Sequence, residues 1–490
     1  MSDRERGWCE VPMVRTWQLA AGAAVVGLTL AAGAVAAAGP WDSGQRKAER
    51  DRVVAHSPAG GAHHEPSAPK RPAPAPSAVP VLTALGGPRT VTAKEPAAPG
   101  GLPEILGPLL ADPGLGPAPA ACVIDLTTGE RLYGERAETP MVPASTVKIA
   151  TAAAALTALG PHHRIPTTVV AVPGAGRITL VGGGDATLDR ARLGELAERT
   201  ARALRENRPA ADDGEPAAED VQSATKIRLQ YDASLYQGPA QHPVGPNGNI
   251  APVSALMVGQ GRLDERTTGA ATRSADPAGE AARVFGQLLA ERGVRTGTPV
   301  PGRAAADAVP LAQVLSRPLS SVVERMLTTS DNDIAEALAR QTALATGEKA
   351  SFAGAERAVT RQLKRLQLPL TGTRFADGSG LNRRDRVSAA LLTSLLARAA
   401  DAAHPELRPI LTGLPVAGFS GTLEHRWSDT SAGTGLVRAK TGTLTGINAL
   451  AGTVVAPGGR LLGFAFLASG TPSPYDAQPA LDRLAGALVS

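Results

Sequence analysis

Apolar and polar positions fall into two kinds of pattern along this chain. Ala120-Ala121-Cys122-Val123-Ile124-Asp125-Leu126 is a short, nearly continuous apolar run and reads as a buried strand. Thr127-Thr128-Gly129-Glu130 supplies a turn, and Arg131-Leu132-Tyr133 begins the return strand. Pro143-Ala144-Ser145 then leads into an Ala-rich helical segment, Thr146 to Leu156, which places Ser145 at or near a helix N-terminus. After His162 the character changes. Short strand-like runs (Thr167 to Val172, Ile178 to Val181, Lys226 to Tyr231) are separated by Gly/Pro stretches and by an acidic, Ala-rich loop near Ala210 to Asp220. Helical periodicity returns over Leu311 to Arg340. Two long apolar strand candidates follow, Asn448 to Val455 and Leu461 to Ala468, joined by the turn Ala456-Pro457-Gly458-Gly459, and a helix from about Asp476 to Val489 closes the chain.

Outside these patterned segments the N-terminal region reads differently. Arg4, Arg6 and Arg15 precede an uncharged stretch from Trp17 to Gly39, a positive region followed by a hydrophobic one, as in export signals. Ala34-Val35-Ala36-Ala37-Ala38 offers small residues for cleavage, while a length of about 20 residues also suffices to span a bilayer. Cleavage and anchoring both stay open. From Pro40 to Gly101 the chain is rich in Pro, Ala, Gly and Ser without an apolar period, and so cannot bury enough surface to offset ordering entropy. The expected organisation is an export signal or anchor (1–39), a disordered spacer (40–101), a first domain part (102–164), an inserted region (165–308) and a second domain part (309–490).

Composition narrows the classes. The chain has 490 residues, 43% hydrophobic but only 3% aromatic, so its core must be built from Val, Leu, Ile and Ala. The net charge of +5 is small for this length, and no Lys/Arg run interleaves with aromatics, which leaves a nucleic-acid partner without support. Of two cysteines, Cys9 precedes the export segment and Cys122 sits in an apolar run as a core thiol. His63 and His64 belong to the spacer and read as solvated, not metal-ligating. Lysine is scarce (Lys47, Lys70, Lys94, Lys148, Lys226, Lys349, Lys364 and Lys440), which makes its placement informative, because lysine can lose its proton and arginine cannot.

Two of those lysines fall in short motifs that occur in one order. In Ser145-Thr146-Val147-Lys148, positions i and i+3 share a helix face, so the amine can approach the serine hydroxyl. Serine needs such a base, and a lysine serves only if its surroundings lower its pKa. In Ser330-Asp331-Asn332 a hydroxyl and a carboxamide can enter a cleft from an interhelix loop, the first to relay a proton and the second to grip a substrate backbone. Lys440-Thr441-Gly442-Thr443 reads as a strand edge where Gly442 allows close backbone approach, and where Lys440 and the threonines can meet a carboxylate. Each motif alone is a turn or a helix cap. Together they form the S-x-x-K, S-D-N and K-T-G signature of class A β-lactamases and penicillin-binding proteins.

The wider sequence resembles the D-Ala-D-Ala carboxypeptidase/endopeptidase family, the class C type of low-molecular-mass penicillin-binding proteins. Besides the motifs, the resemblance is carried by Gly182-Gly183-Gly184-Asp185-Ala186-Thr187-Leu188, where Ala186 replaces the family's proline, and by Ala251 to Leu256, Asp377-Gly378-Ser379-Gly380-Leu381, Gly421-Thr422-Leu423 and Gly442 to Gly446. It implies an α/β (α+β) transpeptidase-like domain, a mostly antiparallel sheet flanked by helices, with a β-rich insertion between the first two motifs. It further implies that Ser145 attacks the penultimate D-alanine carbonyl while Lys148 accepts its proton, and that Ser330 relays a proton to the leaving D-alanine. Asn332 would bind the peptide amide, Lys440 and Thr441 the terminal carboxylate with Thr443 beside them, and the N–H groups of Ser145 and Thr443 the oxyanion. No metal or organic cofactor is needed in this family, so none is expected. The implied partners are peptidoglycan stem peptides and acylating β-lactam antibiotics, met outside the cytoplasm, with residues 17–39 as the membrane anchor if uncleaved.

Two rivals remain at this level. A serine β-lactamase or esterase shares the fold, but the separation of Ser145 from Ser330 is far greater than a class A β-lactamase allows, and no E-x-x-L-N segment is present. A non-catalytic wall-binding module on the same scaffold would not need both lysines. Asp377 and Ser379 are explained by a tight turn and stay outside the expected catalytic set. Gly182 to Gly184 lacks the G-K-[ST] of a phosphate loop and reads as a turn.

Overall fold

In a computed structural model, residues 101–206, 227–427 and 432–489 are described. The export segment, the spacer up to residue 100, Cys9 and the acidic loop near Ala210 to Asp220 lie outside them. α1 (Leu102–Leu110) carries a proline in its first turn and buries Leu102, Leu106 and Leu110, the side of the helix that rests on a sheet. β1 (Ala120–Asp125) is buried at every position. Its one charged residue, Asp125, is satisfied by the N–H groups of Thr127 and Thr128, which makes the turn into β2 (Arg131–Glu135), and by Arg460 at 2.9 Å. A 3₁₀ turn, Ala144–Val147, opens into α2 (Lys148–Leu159). α2 is buried continuously from Lys148 to Leu156, and its alanines are what let other helices approach from several sides.

The inserted region follows as β3 (Pro166–Ala171), β4 (Arg177–Gly182), α3 (Arg190–Glu206), β5 (Arg228–Asp232), α4 (Pro277–Ala290), β6 (Val300–Pro301) and β7 (Val309–Leu315). The chain then returns through α5 (Leu319–Thr329), α6 (Asn332–Ala345), α7 (Phe352–Arg365) and α8 (Ala389–Ala400) to β8 (Val437–Leu444), β9 (Ile447–Val455), β10 (Leu461–Ser469) and α9 (Pro474–Gly486).

Among the described residues two five-stranded sheets form. The first has the order β2-β1-β10-β9-β8 and is antiparallel throughout, so both ends of the chain's folded part build one sheet. On one face Phe464, Phe466 and Val454 meet Leu106, Leu481 and Leu484 of α1 and α9. On the other, Ala449, Ala465 and Leu467 meet α2, α5, α6 and α8. Burial on both faces is why β9 and β10 read as unbroken apolar runs instead of alternating ones. β8 is one edge strand and β2 the other.

The second sheet, β6-β5-β4-β3-β7, is mixed: β4, β5 and β6 run parallel, while β3 is antiparallel to β4 and β7. Val169, Leu180 and Leu229 pack against Leu196 of α3 and Phe285 and Leu288 of α4. The insertion is thus an α/β layer and not simply β-rich. Two helices cover the sheet because parallel strands need crossovers. β7 corrects the expected boundary at 308, since Val309–Leu315 pairs with β3 and belongs to the insertion. It also corrects the helical periodicity read from Leu311: the helix starts at Leu319, after Pro318. Pairing with β3 overrides the local apolar spacing there.

Candidate active site

Three chain segments converge on one cleft of about 280 Å³, lined by Ser145, Ser330, Asn332, Thr441 and Thr443 together with residues of the insertion. The nucleophile candidate sits on strained backbone. Ala144, just before it, has φ 47, a left-handed conformation that costs a non-glycine residue about 1 kcal/mol. Two close approaches hold it there. A Cβ on Gly380 would meet the Ala144 carbonyl oxygen at 2.0 Å, and one on Gly442 would meet the Pro143 oxygen at 2.7 Å. Both glycines are needed for contact, not only for turning.

One turn on, Lys148 has no solvent contact. Its Nζ lies 2.9 Å from Ser145 Oγ, 2.7 Å from Asn332 Oδ1 and 2.6 Å from the Ser379 carbonyl oxygen. Burial lowers its pKa to about 8, against the raising influence of Asp377, Asp331, Glu336 and Asp385. Relative to an exposed lysine this disfavours the ammonium form by about 3 kcal/mol. Such an amine is neutral often enough to act as a base near neutral pH.

Opposite stands Lys440, on the edge strand β8 and also wholly buried. It donates to Ser330 Oγ at 2.8 Å and to the Thr441 carbonyl at 2.8 Å. Burial, then the nearby Lys148 and Arg426, push its pKa well below the ordinary amine range. Thr441 Oγ1 donates to Thr422 Oγ1 at 2.9 Å, which ties the Gly421–Leu423 turn to the same wall.

The Ser330-Asp331-Asn332 segment is the joint between α5 and α6. Ser330 ends α5 in the left-handed region (φ 57), and Asp331 caps α6 by accepting the Ile334 N–H at 3.0 Å. This kink aims Ser330 at Lys440 and Asn332 at Lys148. The insertion then secures three polar side chains at this joint. Gln260 donates to Asp331 at 2.6 Å, Asn332 donates to the Asn249 carbonyl at 3.0 Å, and Asp333 accepts from the Ala251 N–H at 2.9 Å and pairs with Arg273 at 3.0 Å. Burial and the neighbouring Asp331 raise the Asp333 carboxyl to about 7.

The structure therefore brings together all seven residues expected from the motifs, four of them by direct hydrogen bonds to the two lysines. Sequence reasoning missed the back wall of the site. Glu336 accepts the Gly378 and Ser379 N–H groups at 3.0 Å each, and Asp377 accepts those of Gly380 and Asn382 at 2.6 and 2.8 Å. This carboxylate clamp sets the Ser379 carbonyl against Lys148. A lone acid in the apolar stretch Ile334 to Leu338 was the available signal. His242, Glu336 and Asp377 bring ligand-type atoms within 4.8 Å of one another. Their atoms are already engaged, however, by these N–H groups, by Arg340 at 3.4 Å from Glu336 and by a 2.8 Å bond between His242 and Asp377. That chemistry is a hydrogen-bond network and not a ready metal cradle.

The model of the D-Ala-D-Ala carboxypeptidase 3 (S13) family matches residues 103–271 and 263–488. The chain belongs to that family. It is a serine-type carboxypeptidase of the penicillin-binding kind. A carboxypeptidase of Mycobacterium tuberculosis is 37% identical over 419 residues, covering 81% of this chain and 85% of the relative. The carboxypeptidase DacB of Mycolicibacterium smegmatis is 36% identical over 421 residues, covering 80% and 84%. Penicillin binding protein 4 of Haemophilus influenzae shares the fold with a TM-score of 0.63 at 20% identity, over 78% of this chain and 97% of that one. The same Haemophilus protein has been solved in complex with a β-lactam.

Proposed function

We propose that this enzyme removes D-alanine from peptidoglycan stem peptides through an acyl-enzyme on Ser145, and that penicillins acylate the same oxygen. The observation that carries the reading is the Ser145 Oγ–Lys148 Nζ distance of 2.9 Å on a lysine without solvent contact. In its neutral form Nζ has two N–H bonds, which Asn332 Oδ1 and the Ser379 carbonyl accept, and one lone pair left for the Ser145 proton. Attack on the penultimate D-alanine carbonyl forms the Ser145 ester bond as the peptide C–N bond breaks. Ser330 hands its proton to the leaving amine and takes one in turn from the Lys440 ammonium that hydrogen-bonds to its Oγ. The N–H groups of Ser145 and Thr443 face the developing oxyanion.

Substrate binding follows from the opposite wall. The terminal carboxylate of a D-Ala-D-Ala peptide meets Lys440 and Thr441, and its charge favours the ammonium form that burial disfavours. The peptide backbone lies along the edge of β8, while Asn332 holds its amide. Water then cleaves the ester. A penicillin presents a carboxylate at the same spacing from its reactive carbonyl but loses no leaving group from the site. Of the cleft-lining carboxylates, Asp331 is turned to Gln260 and the Ile334 N–H, and Asp333 to Arg273 and the Ala251 N–H, an engagement with structural partners that favours a persistent drug adduct. An endopeptidase cut at a D-alanyl cross-link uses the same machinery with a longer leaving group. Export through residues 17–39, with 40–101 as a spacer, brings the enzyme to its wall substrate.

The test is to label the full chain with a fluorescent penicillin, map the adduct by mass spectrometry and assay D-alanine release from a stem pentapeptide. A persistent adduct on Ser145, absent from folded Ser145→Ala protein, together with D-alanine release, supports the reading. Rapid drug destruction would make the enzyme a β-lactamase instead, and no adduct on folded protein would make it a binding module.

A further inference from the structure

The insertion contributes one side chain that the reaction as described does not use. His242 lies in the insertion, wholly buried, with its Nε2 2.8 Å from Asp377 Oδ2. The Val244 N–H donates to its Nδ1 at 3.2 Å, so Nδ1 is an acceptor, and the ring proton must sit on Nε2 and point at Asp377. The edge of the ring meets Phe352 at a centroid distance of 5.3 Å, and Arg340 stacks on Phe352 at 3.9 Å, which closes the pair off from water.

Asp377 is where this bond has leverage. Its Oδ2 accepts from His242, the Ser379 hydroxyl and the Asn382 N–H, while its Oδ1 accepts from the Ser379 and Gly380 N–H groups. The turn so held touches the reacting pair twice: its Ser379 carbonyl accepts from Lys148, and Gly380 rests on the Ala144–Ser145 backbone. Asp385, raised to about 10 chiefly by burial and by the Asp377 charge, is neutral and is itself a donor to Asp377, but it lies outside the insertion, so His242 is the donor that the insertion supplies.

We infer that His242 is a positioning residue for acylation, through which the insertion donates one hydrogen bond that fixes Asp377 and, with it, the 377–382 turn that registers Lys148 on Ser145. The inference rests on Ser145 and Lys148 being the acylating pair. It gives the insertion a part in the chemistry, beyond any part in binding. Among the described residues neither Lys440 nor Thr441 hydrogen-bonds to His242, Asp377 or the 377–382 turn, so rate and affinity should separate.

The test compares full-length wild type, His242→Met (similar bulk, no donor) and His242→Gln (a donor near the Nε2 position) in stopped-flow acylation by penicillin, resolving noncovalent dissociation constant from acylation rate. His242→Met should acylate ten- to a hundredfold more slowly at an unchanged dissociation constant, and His242→Gln should recover to within about threefold of wild type. Wild-type rate in His242→Met, an equal loss in His242→Gln, or a loss of affinity in step with rate would overturn the inference. Should His242→Met fail to fold, nitrogen-15 NMR of histidine-labelled wild type decides: a neutral Nε2–H ring whose resonance moves on acylation agrees, and a charged ring, an Nδ1–H ring or a stationary resonance does not. Wild-type protein that never forms the Ser145 adduct would defeat the underlying reading, separately from this one.

Discussion

At the scale of single residues, the site depends on taking two lysines out of water. An ammonium group is stabilised by hydration, so full burial alone drives Lys148 toward the neutral amine, and the acidic groups behind it only moderate the effect. Arginine in the same place would keep its charge and could not accept the Ser145 proton. Lys148→Arg should therefore slow penicillin acylation by at least about a hundredfold with the fold retained, as read by labelling rate and circular dichroism. An active Lys148→Arg enzyme would remove the proposed base. The pH dependence has a definite sign. Because the base is the deprotonated form of a group with pKa about 8, the acylation rate should rise with pH and approach a plateau above about 8, falling about tenfold per unit well below it. A rate that is flat between pH 6 and 8 would contradict a lysine base.

At the scale of elements, what counts is how backbone is brought close to backbone. The 3₁₀ turn at Ala144–Val147, the 377–382 turn and the edge strand β8 meet with so little room that glycine is required at Gly380 and Gly442. Gly380 also has φ +85, where an L side chain is strained regardless of space. Gly380→Ala should push the Ala144 carbonyl aside, lower stability by about 2 kcal/mol or more and cut acylation further than that loss explains, measured by melting and by labelling of the folded fraction. An alanine variant with wild-type melting and labelling would show that the turn does not brace the nucleophile. These elements were legible to different degrees. β9, β10 and the helix after Ser145 could be read because burial on both faces, or all round, leaves continuous apolar runs. The seven motif residues could be expected in one cleft because the three motifs, each alone a turn or a cap, form one signature together. The 377–382 turn was visible as a segment of the family resemblance and as a tight glycine-rich turn, but not as a support for Lys148, since a carbonyl aimed at an amine leaves no mark in side-chain identity. β7 was misread as the start of a helix because its partner β3 lies far away in sequence, and no local spacing reports such a pairing.

At the scale of the whole molecule, the insertion wraps the joint between α5 and α6, and the Arg273–Asp333 pair is a buried contact between them, with side chains 5% and 2% exposed. Arg273 also donates to the Gln260 carbonyl at 2.7 Å, beside the amide that holds Asp331. Removing one partner of such a pair costs about 3 kcal/mol when the other must stay charged, and less when it can take up a proton. Asp333 can do so, because burial and Asp331 already raise it to about 7. A carboxyl whose folded pKa lies above its unfolded value binds more protons when folded, so its contribution to stability falls as pH rises from about 4 through about 7. At pH 5 Asp333 is neutral in the wild type and Arg273 gains little from it; at pH 8 it is charged and the pair is complete. Arg273→Ala should accordingly melt below wild type by a wider margin at pH 8 than at pH 5, and acylate several-fold more slowly because Asn249 and Gln260 no longer hold Asn332 and Asp331 in register. Melting curves at the two pH values, with penicillin labelling at pH 8, check both halves. An equal deficit at both pH values would mean that the carboxyl does not titrate in this range, and a lower melting point with an unchanged labelling rate would mean that the insertion stabilises the joint without setting its catalytic geometry.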